Sequence, residues 1–313
     1  MRWVAGDVGG TKTLLRCVDA DGSTVFEERY DSAAYATFDD LLREFLSRDD
    51  AHIDSACFAV AGPVFRGRAT VTNVGWVMEE DALRREFDID RVSLINDFSA
   101  IALGVTQLGE DDLLSLHAGK RDRTAPIAIL GAGTGLGQAI LVWAGEEHHV
   151  IATEGGHADF APQDEEQTRL LLHLQKKYGH VSWERIVSGM GLTNIADFLG
   201  AGDLDPAEIA ERASNGDDVA SRAIAIFVDA YGAEAGNLAL KVLARGGVYL
   251  AGGIAAKNVE WFTDGRFVEA FERKGRFREV METIPVDLIT NESVGLLGAV
   301  EGARRNRATR TRG

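Results

Sequence analysis

Apolar runs that end in glycine recur along the chain. Trp3-Val4-Ala5 leads into Gly6-Asp7-Val8-Gly9-Gly10-Thr11, and a second apolar run, Leu14-Leu15-Arg16-Cys17-Val18, closes at Asp21-Gly22. The design returns some 124 residues later: Ile127-Ala128-Ile129-Leu130 enters Gly131-Ala132-Gly133-Thr134-Gly135-Leu136-Gly137, and Ala139-Ile140-Leu141-Val142-Trp143 ends at Gly145. Each unit reads as strand, glycine-rich turn bearing a threonine, strand. A period this long indicates two related domains rather than a solenoid. A third strand meets glycine at Val248-Tyr249-Leu250-Ala251-Gly252-Gly253-Ile254. Between these landmarks the spacing predicts helices over 37–48, 79–87, 98–108, 164–178, 181–198, 217–242 and 257–273, and strands near 55–60, 92–95 and 284–289. The alternation implies α/β architecture. A last helical pattern over about 293–307 suggests a division into a small domain, 1–107, and a large one, 108–295, with a C-terminal helix (about 296–313) packing back on the small domain.

Length agrees with two domains, since 313 residues is long for one hydrophobic core. The formal net charge of -16 repels phosphate backbones and anionic lipid, so neither nucleic acid nor membrane is expected as a partner. It leaves binding of a single nucleotide open, because a local nest of N–H groups overrides a distant net charge. Cys17 and Cys57 lie in apolar runs and read as buried thiols in a reducing, cytoplasmic setting. Asp7 brings a charge too early for a signal peptide. Residues 124–145 carry no charge and could suggest a membrane span, but four glycines within seven residues favour two short strands around a turn. The tail from Arg304 to Gly313 holds five arginines and reads as a solvated end.

Glycine turns expose N–H groups that phosphate oxygens can approach closely. Gly6, Gly9, Gly10 and Thr11 on the first turn, with Gly131, Gly133, Thr134 and Gly135 on the second, could hold adjacent phosphates. Neither turn is a Walker loop, and Leu136 stands where a dinucleotide fingerprint needs its third glycine. Asp7 could hold hydrated Mg²⁺ through water, or cap its own turn. Asn96 and Asp97 lie between a strand and a helix, where they could cap the helix or stand at the ligand-binding mouth of the sheet, with Asp97 taking the proton of an attacking hydroxyl. Glu154, His157, Asp159 and Glu184, set beside glycines, suit the hydroxyls of a polyol. A metal site built from His148, His149, Glu154, His157 and Asp159 is the competing reading; it lacks a helical His-x-x-x-His pair and any cysteine.

These motifs resemble, in order and over about residues 2–302, the bacterial ATP-dependent glucokinase family of the actin-like sugar-kinase superfamily. The resemblance rests on the two glycine turns, Asn96-Asp97-Phe98, Glu154-Gly155-Gly156-His157, Gly179-His180-Val181-Ser182 with Glu184, Ser188-Gly189-Met190-Gly191-Leu192, Ala251-Gly252-Gly253-Ile254 and Lys274-Gly275-Arg276-Phe277. It implies a two-domain actin-like (ribonuclease H-like) α/β fold with a cleft between the domains, ATP phosphates on the two turns with Mg²⁺, and adenine near Gly252 and Gly253. It implies that Asn96, Asp97, Glu154, His157 and Glu184 contact glucose, with Asp97 as general base toward the 6-hydroxyl. Gly62, Pro63, Thr72 and Asn73 are expected close to the sugar. A homodimer is implied, and structural zinc is not. Lys12 departs from the small polar residue that the family pattern leads one to expect. A sugar-sensing regulator is the rival reading; the first predicted strand begins at residue 3, which leaves no room for a preceding DNA-binding helix-turn-helix.

Overall fold

The computed structural model describes residues 1–71 and 73–308, without the side chains of Arg307 and Ala308. Thr72 and the end of the arginine tail therefore lie outside the described residues. Contacts divide the chain into two compact units, one of residues 1–109 with the segment from Asn291 onward, the other of residues 110–290.

In chain order the first unit contains β1 (Arg2–Val8), β2 (Lys12–Asp19), β3 (Thr24–Asp31), α1 (Phe38–Leu46), β4 (Ile53–Val60), β5 (Val64–Phe65), β6 (Arg68–Thr70), β7 (Val77–Glu79), α2 (Glu80–Glu86), β8 (Val92–Asn96) and α3 (Asp97–Val105). The second runs through β9 (Leu113–His117), β10 (Ile127–Ala132), β11 (Leu136–Ala144), β12 (Glu147–Thr153), α4 (Glu165–Tyr178), α5 (Gly189–Phe198), α6 (Pro206–Ser214), α7 (Asp218–Val242), β13 (Gly247–Ala251), α8 (Gly253–Lys257), α9 (Arg266–Glu272), α10 (Arg278–Met281) and β14 (Val286–Ile289). The chain then rejoins the first unit as α11 (Val294–Ala308).

The repeat visible in the sequence is a repeat of topology. The first sheet has the order β3-β2-β1-β4-β8 and the second β12-β11-β10-β13-β14, with β9 added at its edge. In each, a glycine turn joins an antiparallel pair (β1–β2, β10–β11), and the first strand of that pair also runs parallel to a later one (β4, β13). Parallel strands in the middle of a sheet are covered on both faces, and β4, β10 and β13 are buried almost throughout. The uncharged stretch 124–145 is thus strand, turn, strand. Helix α7 is long and apolar enough to cross a membrane by length and composition, yet most of it is buried inside the second unit. Its Tyr231 hydroxyl accepts the Ala132 N–H at 3.2 Å, at the end of β10.

Two predicted helices are broken in the structure. The pattern over 181–198 splits into a short 3-10 turn, Trp183–Arg185, and α5, because Ser188 caps α5 by accepting the Gly191 N–H. The pattern over 257–273 splits at Asn258 and at Gly265, whose φ of 91° leaves the helical region. Strands β3, β9 and β12 and helix α6 carried no reading in the sequence analysis. β3 and β12 are edge strands whose side chains are only partly covered, so their apolar alternation is weak.

Helix α11 lies against α3, β1 and β4. The helices approach so closely that a Cβ on Gly298 would collide with the carbonyl oxygen of Ala100, and one on Gly104 with that of Val294. Elsewhere in a helix, replacing Gly by Ala stabilises by roughly 0.8–1 kcal/mol. Here overpacking, which costs about 1–3 kcal/mol, outweighs that gain. Gly298→Ala should therefore lower stability by up to about 2 kcal/mol in urea unfolding, whereas Gly295→Ala, whose nearest neighbour would be 3.7 Å away, should not.

Candidate active site

In the first unit, Asp7 is the next-to-last residue of β1, opposite Leu14 on β2 and Ala59 on β4. The turn that follows is closed by the Gly9 N–H donating to the Lys12 carbonyl at 3.1 Å. Ser32 braces it from outside: its hydroxyl donates to the Gly9 carbonyl at 2.8 Å, and its N–H donates to that of Thr11 at 3.0 Å. Gly6 is enclosed by Leu15 and Phe58, leaving no room for a side chain beneath the turn. Gly10 and Thr11 stand at its outer edge, and Thr11 is exposed. Ser32 had no signal in the sequence analysis, because it follows the unread β3.

Asn96 ends β8 and caps α3, its Oδ1 accepting from the Phe98 and Ser99 N–H groups at 2.9 and 3.3 Å. Its amide nitrogen donates to the Gly62 carbonyl at 3.2 Å. The capping reading holds: the cap orients the asparagine, and Asp97 becomes the first residue of the helix. Gly62 joins the group through Asn96, while Pro63 is exposed beside it and Asn73 sits on the turn between β6 and β7 with φ 75°. Such a φ is uncommon outside glycine and tolerated by Asn.

Burial, and then the neighbouring charge of Asp97, push the carboxyl of Asp7 up to about 6. Two carboxylates held together at the end of a strand, one of them short of solvent, form a hard-oxygen donor set of the type that holds Mg²⁺ through water. Gly295 of α11 stands before the same carboxylate, its Cβ position 3.7 Å from Asp7 Oδ2.

In the second unit, the Gly133 N–H donates to the Gly135 carbonyl at 2.9 Å, and the Gly133 carbonyl accepts the N–H of Gly189, the first residue of α5, at 2.8 Å. A side chain on Gly133 or Gly253 would meet open space, whereas Gly252, at φ 86°, lies flush against the backbone of Ala132. The second turn and the third glycine junction are therefore neighbours, as Gly131 pairing with Ala251 requires. Beside the turn opens a cavity of about 620 Å³ lined by Thr134, Gly189, Met190, Thr193, Leu204 and Pro206, with the carboxylates Asp203 and Asp205 at its wall. A glycine turn with open space at Gly133, next to an open and mostly apolar cavity of this size, fits a nucleotide.

Glu184 links this turn to the polyol candidates. Its Oε2 accepts the Leu136 N–H at 3.0 Å, and its Oε1 lies 3.9 Å from His157 Nδ1. His157 Nε2 is 4.0 Å from Glu154 Oε2. Glu184 is 20% exposed and Glu154 87%, so the first is fixed and the second is available. Residues Gly155–His157 form a 3-10 turn whose Gly155 N–H donates to Thr153 Oγ1 at 2.8 Å. Gln138 and Leu136 fill the space in which Gly155 and Gly156 would carry side chains. The sequence analysis missed Gln138, since contacts across strands leave no spacing to read, and Thr153, whose hydrogen bond lies only two residues along the chain. Asp159 instead pairs with His180 at 2.7 Å. Among the described residues no group of three or more His, Cys, Asp or Glu is placed to hold a metal ion.

The raised value at Asp7 has a sign that stability can test. A carboxyl that holds its proton longer when folded contributes stability below its unfolded value, and loses it as the pH rises through about 6. Without Mg²⁺, Asp7→Asn should therefore gain on the wild type by roughly 2 kcal/mol between about pH 4 and about pH 7.5. Urea unfolding of both proteins at the two values measures it. A difference that stays constant with pH would mean that the charge is not buried.

Comparison with known proteins bears on the chain as a whole. The sequence profile of the glucokinase family matches residues 4–306. A glucokinase from Nostoc sp. is 42% identical, over 96% of this chain and 98% of the relative. Among solved structures, glucokinase from an Antarctic psychrotroph superposes with a TM-score of 0.90 at 31% identity, covering 97% of this chain and 99% of the other. A ROK family glucokinase from Streptomyces griseus in complex with glucose and AMPPNP shares the fold, with a TM-score of 0.61 at 21% identity over 97% of this chain and 100% of the other. The fold is the actin-like α/β fold of these sugar kinases. With the profile covering nearly its whole length, this chain belongs to the glucokinase family.

Proposed function

We propose that this chain transfers the γ-phosphoryl group of Mg-ATP to the 6-hydroxyl of glucose, with Asp97 as the general base. Glucokinase activity follows from membership of the family. The roles of individual residues are our own assignment. The observation that carries them is the position of Asp97: first in α3, set there by the Asn96 cap, and close enough to Asp7 to raise the latter's proton affinity.

Asp97 accepts the proton of the 6-hydroxyl as that oxygen bonds to the γ-phosphorus, and ADP leaves with the electrons of the bond that breaks. An ordinary aspartate is a weak base, but phosphoryl transfer through a loose transition state mainly needs its nucleophile oriented. Asn96, Glu154, His157 and Glu184 hold the other hydroxyls, where an analogue lacking one would leave a partner unsatisfied. Gly62, Pro63 and Asn73 lie nearby in this reading. The turns Gly6–Thr11 and Gly131–Gly135 offer amides to the phosphates, and Gly252 and Gly253 border the adenine. The AMPPNP complex of the Streptomyces griseus enzyme supports ATP as donor. Asp7 would hold Mg²⁺ through water, and the ion would offset charge on the phosphates.

The same proposal places the enzyme in the cytoplasm as a soluble homodimer with no nucleic-acid or membrane partner. Light scattering in solution tests the dimer: a monomer mass at micromolar concentration would remove it.

A coupled ADP-release assay over a panel of hexoses tests the reaction. Glucose-selective turnover that disappears without Mg²⁺ is expected. Asp97→Asn should lower kcat by roughly 10²–10⁴ while glucose still binds in calorimetry. Near-normal turnover in that variant would remove Asp97 from its role.

A further inference from the structure

One family motif, Lys274-Gly275-Arg276-Phe277, has no part in the chemistry above, yet its lysine reaches into the second unit. Lys274 Nζ donates to the Ala233 carbonyl at 2.7 Å and to Asn237 Oδ1 at 2.9 Å. Asn237 Nδ2 donates to Glu234 Oε2 at 3.1 Å, and Glu234 Oε1 accepts from Gln138 Nε2 at 2.9 Å. The other end of the Gln138 amide, Oε1, occupies the space that a Cβ on Gly155 would need. A chain of four polar side chains therefore runs from the motif to the turn that carries His157.

Glu234 is fully buried and Gln138 is 3% exposed. A buried carboxylate costs several kcal/mol unless it is paired and hydrogen-bonded. Filling the space with apolar side chains would avoid that cost, so the polar chain calls for a purpose beyond stability. Its geometry supplies one. A carboxylate only accepts, so it fixes which way round the Gln138 amide lies: nitrogen toward Glu234, oxygen toward Gly155. A reversed amide would set two acceptors against each other. Burial raises the proton affinity of Glu234; the hydrogen bonds from Gln138 and Asn237 oppose that rise first, then the charges of Lys241 and, last, of Lys274. Burial draws the Lys274 ammonium down to about 8, and Glu234 is the first influence opposing that fall.

We propose that Lys274, Asn237, Glu234 and Gln138 form a positioning relay that sets the turn Gly155–His157, and through it the affinity for glucose. The inference rests on the reading of that turn as sugar-binding. Gln138 touches no substrate in this account; it acts through the turn.

The test is steady-state kinetics with glucose and ATP varied separately, together with calorimetric glucose binding in the absence of nucleotide. Gln138→Ala should raise KM for glucose about tenfold or more and weaken glucose binding in parallel, with kcat and KM for ATP within about threefold. The exchanged pair Gln138→Glu with Glu234→Gln, which restores one acceptor facing one donor, should recover most of the loss. Lys274→Met, at the partly exposed end of the relay, should raise KM for glucose several-fold in the same selective way, and it carries the comparison if Gln138→Ala does not fold. Loss confined to kcat, or spread equally over glucose and ATP, would overturn the relay. So would failure of the exchanged pair to recover alongside a selective single-variant loss. Failure of the underlying reading looks different: the wild type itself would then neither bind nor phosphorylate glucose.

Discussion

The hydrogen bond from the Leu136 N–H to Glu184 joins the two kinds of chemistry in the second unit. Leu136 opens β11 directly after the glycine turn, so its amide points outward at the end of a hairpin. By accepting that amide, Glu184 is held within reach of His157 while Gly135 lies against it. The next residues of the same strand support the other side, with Leu136 and Gln138 pressed against Gly156 and Gly155. Leu136 and Gln138 of β11 thus bear on the glycine turn behind them and on the turn Gly155–His157 beside them. A shift of one residue in the pairing of β10 with β11 would turn each of these groups to the opposite face of the sheet.

The first unit meets a different constraint. Asp7 lies close to Asp97 and mostly out of water, and both conditions disfavour its charge. The unit holds the carboxylate in place with β2 and β4 on either side and the start of α11 in front. The close crossing of α11 over α3 is what brings that start so near, and it is possible because Gly104 and Gly298 carry no side chains. Local instability at the Asp7 carboxylate is thus offset by packing around it.

Much of the fold was legible because its signals are local. The two strand–turn–strand units, the long helix ending at Val242 and the closing helix all follow from apolar spacing and glycine within a few residues of one another. The breaks at Ser188 and Gly265 were missed because apolar periodicity continues across a cap or a turn without registering it. Edge strands β3 and β12 were missed because a half-exposed strand has little alternation to detect.

For the site, the sequence by itself determined the chemical types and the local frames: amides bared by glycine, a carboxylate ending a strand, an asparagine that caps the helix bearing Asp97. These depend on neighbours in the chain, so spacing is enough to find them. Only the tertiary structure decided which groups support one another. Ser32 against the first turn, Glu184 on Leu136, and the hydrogen bonds on the line from Lys274 to Gln138 join residues as many as 96 positions apart. No local pattern encodes such pairs, because they form only when strand register and helix packing bring distant segments within hydrogen-bond reach.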